Sequence, residues 1–276
     1  MPNRFINCNG ELLDADTPVV TASNRSLRYG DGLFETMRWE RGRLTLGDFH
    51  FERLFRGMGI LQMELPPGFR AANLTEQIRN LCEKNRLETA RIRFNVYRED
   101  SPALFPVNNR PRFIIETAEL PLLNPEPVRA TLYTDEKKST GILSNLKINN
   151  YLLYIMASRY AGQNGYDDAL IQNADGRLCE ATSSNLFFIS GNKIVTPSLS
   201  EGCVAGVMRR QLLGLLPEWG YTVLETAIPK ELMDEADEAF LTNAIHGIRP
   251  VTSIGNKKFP QVLTQEIIRQ LSAFPD

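Results

Sequence analysis

Three features of this 276-residue chain have residue types suited to chemistry. The first is Lys147, in Ser144-Asn145-Leu146-Lys147-Ile148-Asn149-Asn150-Tyr151, between apolar neighbours and just ahead of a helix-like segment. Desolvation disfavours an ammonium and frees the amine lone pair for attack on a carbonyl, which is what an imine-forming lysine needs. Solvated lysines are also common beside helix starts, so spacing alone leaves both readings open. The second is Glu180, in Asp175-Gly176-Arg177-Leu178-Cys179-Glu180-Ala181-Thr182-Ser183-Ser184-Asn185-Leu186. A carboxylate in this small, polar run makes sense opposite a buried cation such as a protonated pyridine nitrogen; without one it is an ordinary strand-edge charge. The third is Glu201-Gly202-Cys203-Val204-Ala205-Gly206-Val207-Met208-Arg209, where a glycine-bearing loop opens a helix whose first N–H groups form a ready anion site. A plain glycine turn reads equally well.

Other chemistries lack their signatures. There is no GxSxG, HExxH, Walker A or GxGxxG. Cys8, Cys82, Cys179 and Cys203 form no CxxC pair, and the only histidines are His50 and His246, which argues against zinc. Widely spaced cysteines read as buried thiols in a reducing cytoplasm. His246 is a conceivable general base, although a lone loop histidine is more often structural.

Motifs along nearly the whole chain resemble the class IV group of pyridoxal-phosphate enzymes, also called fold type IV. This group includes branched-chain aminotransferases, D-amino acid transaminases and aminodeoxychorismate lyases. Ser26-Leu27-Arg28-Tyr29-Gly30-Asp31-Gly32-Leu33-Phe34-Glu35-Thr36 resembles the family's N-terminal active-site loop, and His50-Phe51-Glu52-Arg53-Leu54 its HxxRL helix. Lys147, Glu180 and Gly206-Val207-Met208-Arg209 follow in order, then Ala239-Phe240-Leu241-Thr242-Asn243-Ala244-Ile245-His246-Gly247-Ile248-Arg249-Pro250-Val251. The resemblance implies a pyridoxal 5'-phosphate cofactor held as an imine by Lys147, which then moves the α-proton. It implies Glu180 on the pyridine nitrogen and Arg53 on the phosphate, a planar fork being suited to that anion. It also implies Val207 and Met208 N–H groups and the Asn243-Ala244 loop at the phosphate, with Tyr151 at the phenolic oxygen. Many transaminases of the group carry threonine where Met208 stands and a hydroxyl residue where Ala244 stands. Both departures weaken a branched-chain reading.

Transaminase and lyase readings share the same cofactor chemistry. Phe34-Glu35-Thr36 and Thr242-Asn243-Ala244 resemble the lyases, with Thr36 as a proton-handling hydroxyl and pyruvate and 4-aminobenzoate as products. Arginine placement favours a transaminase working with a 2-keto acid such as 2-oxoglutarate or pyruvate. Arg28 and Arg91 are expected to trap the substrate carboxylate, with Arg93 as helper and Tyr29 and Ser183 on the substrate side. These arginines are otherwise ordinary strand-edge or salt-bridge residues. A D-amino acid donor is preferred because the branched-chain pattern is missing, and a branched-chain aminotransferase ranks last.

The elements that must position these residues alternate between strands and helices. A hairpin turns at Asn9-Gly10. Helices are expected over 48–62, capped by Asp48, and over 75–87, 149–161, 206–216 and 260–273. Strands are expected near 91–98, 112–118, 168–173, 185–190, 193–196 and 238–242. Pro121, Pro125 and Pro127 mark a linker over 120–128 between a smaller α/β domain (1–119) and a larger cofactor-binding one (129–276). The fold class is α+β in two lobes, and the resemblance puts the cofactor in the cleft between them. An apolar fraction of 42% supports a packed core, and 31 basic against 33 acidic side chains give no pull toward nucleic acid or membrane. A cytoplasmic protein is expected. The resemblance further implies a homodimer in which Arg28 and Tyr29 act across the interface.

Overall fold

The computed structural model describes residues 4–121 and 126–273. The chain forms two compact units. One is Met1–Leu123 together with Leu146–Asn150, and the other is Asn124–Asn145 with Tyr151–Asp276. Part of the expected 120–128 linker lies outside the described residues. The return of Leu146–Asn150 to the first unit has no counterpart in the sequence-based division.

The first unit is a six-stranded antiparallel sheet with helices on one face. Its elements are β1 (Phe5–Cys8), β2 (Glu11–Asp14), α1 (Arg25–Tyr29), β3 (Gly32–Glu40), β4 (Arg43–Leu44), α2 (Gly47–Ile60), α3 (Ala71–Lys84), β5 (Thr89–Arg98) and β6 (Pro111–Glu119). The strand order is β2-β1-β6-β5-β3-β4. Asn9 and Gly10 both take positive φ (54° and 95°), as the tight hairpin between β1 and β2 demands. Side chains alternate across a strand. Leu33, Met37 and Trp39 of β3 and Ile92, Phe94 and Val96 of β5 therefore pack under Phe51, Leu54 and Met58 of α2 and Leu74, Ile78 and Leu81 of α3. Phe34, Thr36 and Arg38 take the opposite face with Asn95, Arg93 and Arg91, their direct partners in the β3–β5 ladder.

Two local expectations are corrected here. Asp48 does not cap α2: the N-cap is Leu46, in the left-handed region at φ 55°, and Asp48 lies within the first turn, where its charge still suits the helix dipole. The stretch Ser26–Thr36 is not a loop but a short helix, a turn and the start of β3, the strand that carries the site.

The second unit contains β7 (Val128–Lys138), α4 (Leu152–Gln163), β8 (Asp168–Asn173), β9 (Leu178–Ala181), β10 (Asn185–Ser190), β11 (Lys193–Pro197), α5 (Val207–Glu218), β12 (Thr222–Thr226), α6 (Leu232–Glu235), β13 (Glu238–Asn243), β14 (Gly247–Ile254), β15 (Lys257–Lys258) and α7 (Val262–Ala273). The sheet runs β12-β11-β10-β13-β14-β7-β8-β9, with β15 on β14. Parallel neighbours need a crossover: α4 lies between β7 and β8, and α5 between β11 and β12. Three of the four cysteines are buried and all four are free. Among the described residues, no helix is long and apolar enough to cross a membrane.

Candidate active site

Lys147 is held by its backbone. Its carbonyl accepts from Phe34 N (2.9 Å), Asn149 N donates to Gly32 O (3.0 Å), and Leu33 bridges Ile148, so the lysine segment runs as a short strand against β3. Gly32 permits this approach, since a Cβ there would lie 2.5 Å from Asn149 Nδ2 and from Val96 O. The Lys147 ammonium sits over the Phe34 ring, 4.4 Å from its centroid. The expected helix starts later than 149, at Leu152, because Lys147–Asn150 are committed to this pairing.

Arg53 projects from α2 into a buried polar cluster. Its Nε donates to Glu35 Oε1 (2.8 Å), its Nη2 pairs with Glu35 Oε2, and His50 Nδ1 lies 2.7 Å from the same oxygen. Burial alone would push the Glu35 carboxyl up. The Arg53 charge and the His50 hydrogen bond overcome this and hold it at about 2. Burial lowers the His50 pKa despite its hydrogen bond to Glu35, and the Arg53 and Lys147 charges push the same way. The ring is therefore neutral, with Nδ1–H donating to Glu35. One edge of the Arg53 fork, Nε and Nη2, is thus spent on Glu35. Glu35, quoted above merely as part of a motif, is the residue that aims Arg53.

The substrate arginines separate. Arg93 places its guanidinium 3.6 Å from the Phe34 ring centroid, so Arg93 and Lys147 share one aromatic ring. Thr36, directly opposite Arg93 in the ladder, is half-buried on the same face. Arg91 is exposed and faces Arg38. Arg28 donates to the carbonyls of Ala22 (2.6 Å) and Pro102 (3.0 Å), bracing its own loop. It precedes β3 at the end where Gly32 pairs with Tyr97. Arg91 lies six residues along β5 from Tyr97, on the order of 20 Å away. Within one chain, the expected Arg28–Arg91 pair does not form. Tyr29 is exposed beneath the Arg25 guanidinium.

In the second unit, Glu180 is 3% exposed although β9 ends the sheet order. It is paired as a buried residue must be: Lys138 Nζ and Tyr154 Oη (2.7 Å) donate to Oε1, and Val204 N (2.8 Å) donates to Oε2. Burial, then the Glu180 charge, raise the Tyr154 phenol, so it keeps its proton and donates. Tyr151 is half-buried and stacked on Tyr154 at 4.2 Å. Sequence reasoning missed both Lys138 and Tyr154. Tyr154 was legible as the i+3 neighbour of Tyr151 on α4. Lys138, beside Lys137, carried no signal.

Gly206 is the N-cap of α5, with no side-chain cap, and Val207 and Met208 are buried behind it. A Cβ on Gly206 would fall 1.9 Å from Asn185 Oδ1. Thr242 is Asn185's ladder partner and lies on the same face, and its buried hydroxyl has no hydrogen-bond partner within the protein. Asn243 spends its side chain on the turn: Oδ1 accepts from Ile245 N and His246 N, and Nδ2 donates to Ser184 Oγ. The Asn243-Ala244 loop therefore has backbone groups, not the Asn243 amide, to offer an anion. Ser183 is exposed in the β9–β10 turn.

The chain is similar to D-alanine aminotransferase of Bacillus licheniformis, 26% identical over 89% of this chain and 87% of that one. It is also similar to aminodeoxychorismate lyase of Bacillus subtilis, 28% identical over 91% and 86%. Among solved structures, the branched-chain aminotransferase of Thermoproteus uzoniensis superimposes with a TM-score of 0.89 at 28% identity, covering 97% of this chain and 93% of that one. The family model described as amino-transferase class IV matches residues 32–254, from β3 to the end of β14. That span takes in Lys147, Glu180 and the α5 start together, and the chain belongs to the class IV amino-transferases, pyridoxal-phosphate enzymes of fold type IV.

Proposed function

We propose that this enzyme is a cytoplasmic, homodimeric transaminase that exchanges an amino group between a D-amino acid and a 2-keto acid such as 2-oxoglutarate or pyruvate. The observation that carries the proposal is the Lys147–Phe34–Arg93 stack: an amine and a carboxylate-binding fork one aromatic ring apart. Preference for the D-form rests on the departures at Met208 and Ala244 from the branched-chain pattern.

The cofactor fits the residues present. The orphaned Thr242 hydroxyl and the uncapped α5 start suit a phosphate. When bound, pyridoxal phosphate supplies an aldehyde that condenses with amines and a ring that accepts the electron pair of a bond broken at the α-carbon. We propose that the residues of both units serve this one cofactor. Lys147 holds the aldehyde carbon and carries the proton to and from the α-carbon. Glu180 holds the ring-nitrogen proton and Tyr151 contacts the phenolic oxygen. Arg53, with the Val207 and Met208 N–H groups, holds the phosphate. Arg93 takes the substrate carboxylate, with Arg91, Tyr29 and Ser183 farther out, and Arg28 reaches substrate only from a partner subunit.

Incubation of the enzyme with D-alanine, L-leucine or L-glutamate and a keto acid tests the reading. Amino exchange with D-alanine supports it, and exchange confined to the L-substrates refutes the D preference. Arg93→Leu is expected to raise the amino-donor KM by about tenfold or more, a bidentate charged contact being lost. Arg91→Leu is expected to change it less than about threefold. Equal effects would remove Arg93 from its role.

A second reading, an aminodeoxychorismate lyase releasing pyruvate and 4-aminobenzoate, is favoured by Thr36. Its side chain stands opposite Arg93 on the face that carries Phe34, whose ring the Lys147 ammonium overlies. Appearance of 4-aminobenzoate from aminodeoxychorismate, without keto-acid exchange, would favour it.

A further inference from the structure

The partners of Glu180 include one that the cofactor chemistry does not require. Lys138 ends β7 after the strand leaves its ladder with β8 between Tyr133 and Lys138. Thr134, Asp135, Glu136 and Lys137 are exposed along this excursion, and Lys138 then turns in to 8% exposure. A lysine is not buried without a reason, since desolvating an ammonium costs several kcal/mol unless it is paired. Its partner here is Glu180 Oε1, which also accepts from Tyr154 Oη, while Oε2 accepts from Val204 N. An ionised carboxylate offers about four acceptor sites. Three are taken, and the fourth, on Oε2, is left for a ring nitrogen.

Two cations on one buried carboxylate are not independent. Each neutralises the charge that attracts the other, and at low effective dielectric they also repel. We propose that Lys138 and the cofactor's ring nitrogen compete for Glu180, so that Lys138 is a positioning residue: it holds the carboxylate in place before the cofactor arrives and loosens its hold on the ring afterwards. The inference rests on the placement of the ring at Glu180. It adds that the protein carries its own stand-in for the pyridinium. Tyr154 belongs to the same device, because the Lys138 ammonium also lies 5.3 Å from its ring centroid.

The test is a cycle between residue 138 and the ring atom. Equilibrium dialysis would measure the affinity of cofactor-free protein for pyridoxal phosphate and for its carbocyclic analogue, in which CH replaces the ring nitrogen. Because Lys138 already satisfies Glu180, the wild-type protein is expected to prefer the natural cofactor by less than about tenfold. Lys138→Met leaves the ring nitrogen as the only cation for the carboxylate, and its preference is expected to be larger by about tenfold or more, within the usual range for coupled neighbours. Lys138→Arg is expected to behave as wild type, which a purely packing role would not predict. A wild-type preference above about a hundredfold overturns the proposal by itself, even where Lys138→Met yields no cofactor-free protein. So does a Lys138→Met preference equal to wild type while Glu180→Gln changes it. If Glu180→Gln also leaves the preference unchanged, the ring does not face Glu180, and the site reading falls along with the competition.

Discussion

Lys147→Ala is expected to lower kcat/KM by about 10⁴-fold or more, since the substitution removes the residue proposed both to hold the cofactor covalently and to move the α-proton. The fold should survive. What joins the lysine segment to β3 is backbone: Phe34 N to Lys147 O, and Asn149 N to Gly32 O. Alanine keeps both bonds and gives up the ammonium over Phe34. Initial rates with the best donor, set against the thermal midpoint of the cofactor-free protein, separate the two effects. Borohydride treatment should fix the mass of the cofactor on the Lys147 peptide in wild type and on no other lysine. A variant keeping more than about one per cent of activity, or cofactor mass appearing on Lys138, would end the assignment.

Glu35→Gln is expected to cost about 3–5 kcal/mol, because it leaves the Arg53 guanidinium beside a neutral amide in a nearly dry cluster. For a chain of this size that is a fall in Tm on the order of 10 °C. Affinity for the cofactor should fall too, because Glu35 holds the fork proposed to bind the phosphate. The double variant Glu35→Gln/Arg53→Met should recover part of the stability, the stranded charge being gone, but none of the affinity. If the single variant weakens cofactor binding no more than an unrelated destabilising change, Glu35 is structural only.

The same cluster sets the acid limit of the wild type. The Glu35 carboxyl is at about 2 in the folded chain against 4.5 in a free carboxyl, a depressed value. Its contribution, on the order of 3 kcal/mol, is therefore complete above about pH 4.5 and is lost as the pH falls through 2. His50 is lowered from 6.5, so it resists protonation in the fold and adds its own loss as the pH drops below that value. A Tm-against-pH curve should decline from about pH 6.5 downward, and its steepest acid segment should be missing in Glu35→Gln.

The sequence by itself determined most of the element types and the chemical cast. Helical periodicity located α2, α5 and α7, alternation β5 and β6, and short apolar runs β8, β10, β11 and β13, to within a few residues; the helices bury one face, whereas β8, β10 and β13 are buried on both and so carry no period. The Asn9-Gly10 turn was legible because few residue pairs accept positive φ in succession. Lys147, Glu180 and Gly206 stood out through the resemblance of their motifs, taken in order, to the class IV family, the spacing of each by itself leaving a bland reading open. Tertiary structure alone decided who holds whom. Glu35 and Arg53 are 18 residues apart, and Lys138 and Glu180 are 42 apart. No periodicity spans such gaps: α2 packing on β3, and β7 pairing irregularly with β8, which in turn pairs β9, bring these partners within hydrogen-bond reach. For the same reason Arg93 and not Arg91 joins Lys147, since strand register, which the sequence does not print, decides which of two alternating arginines faces Phe34.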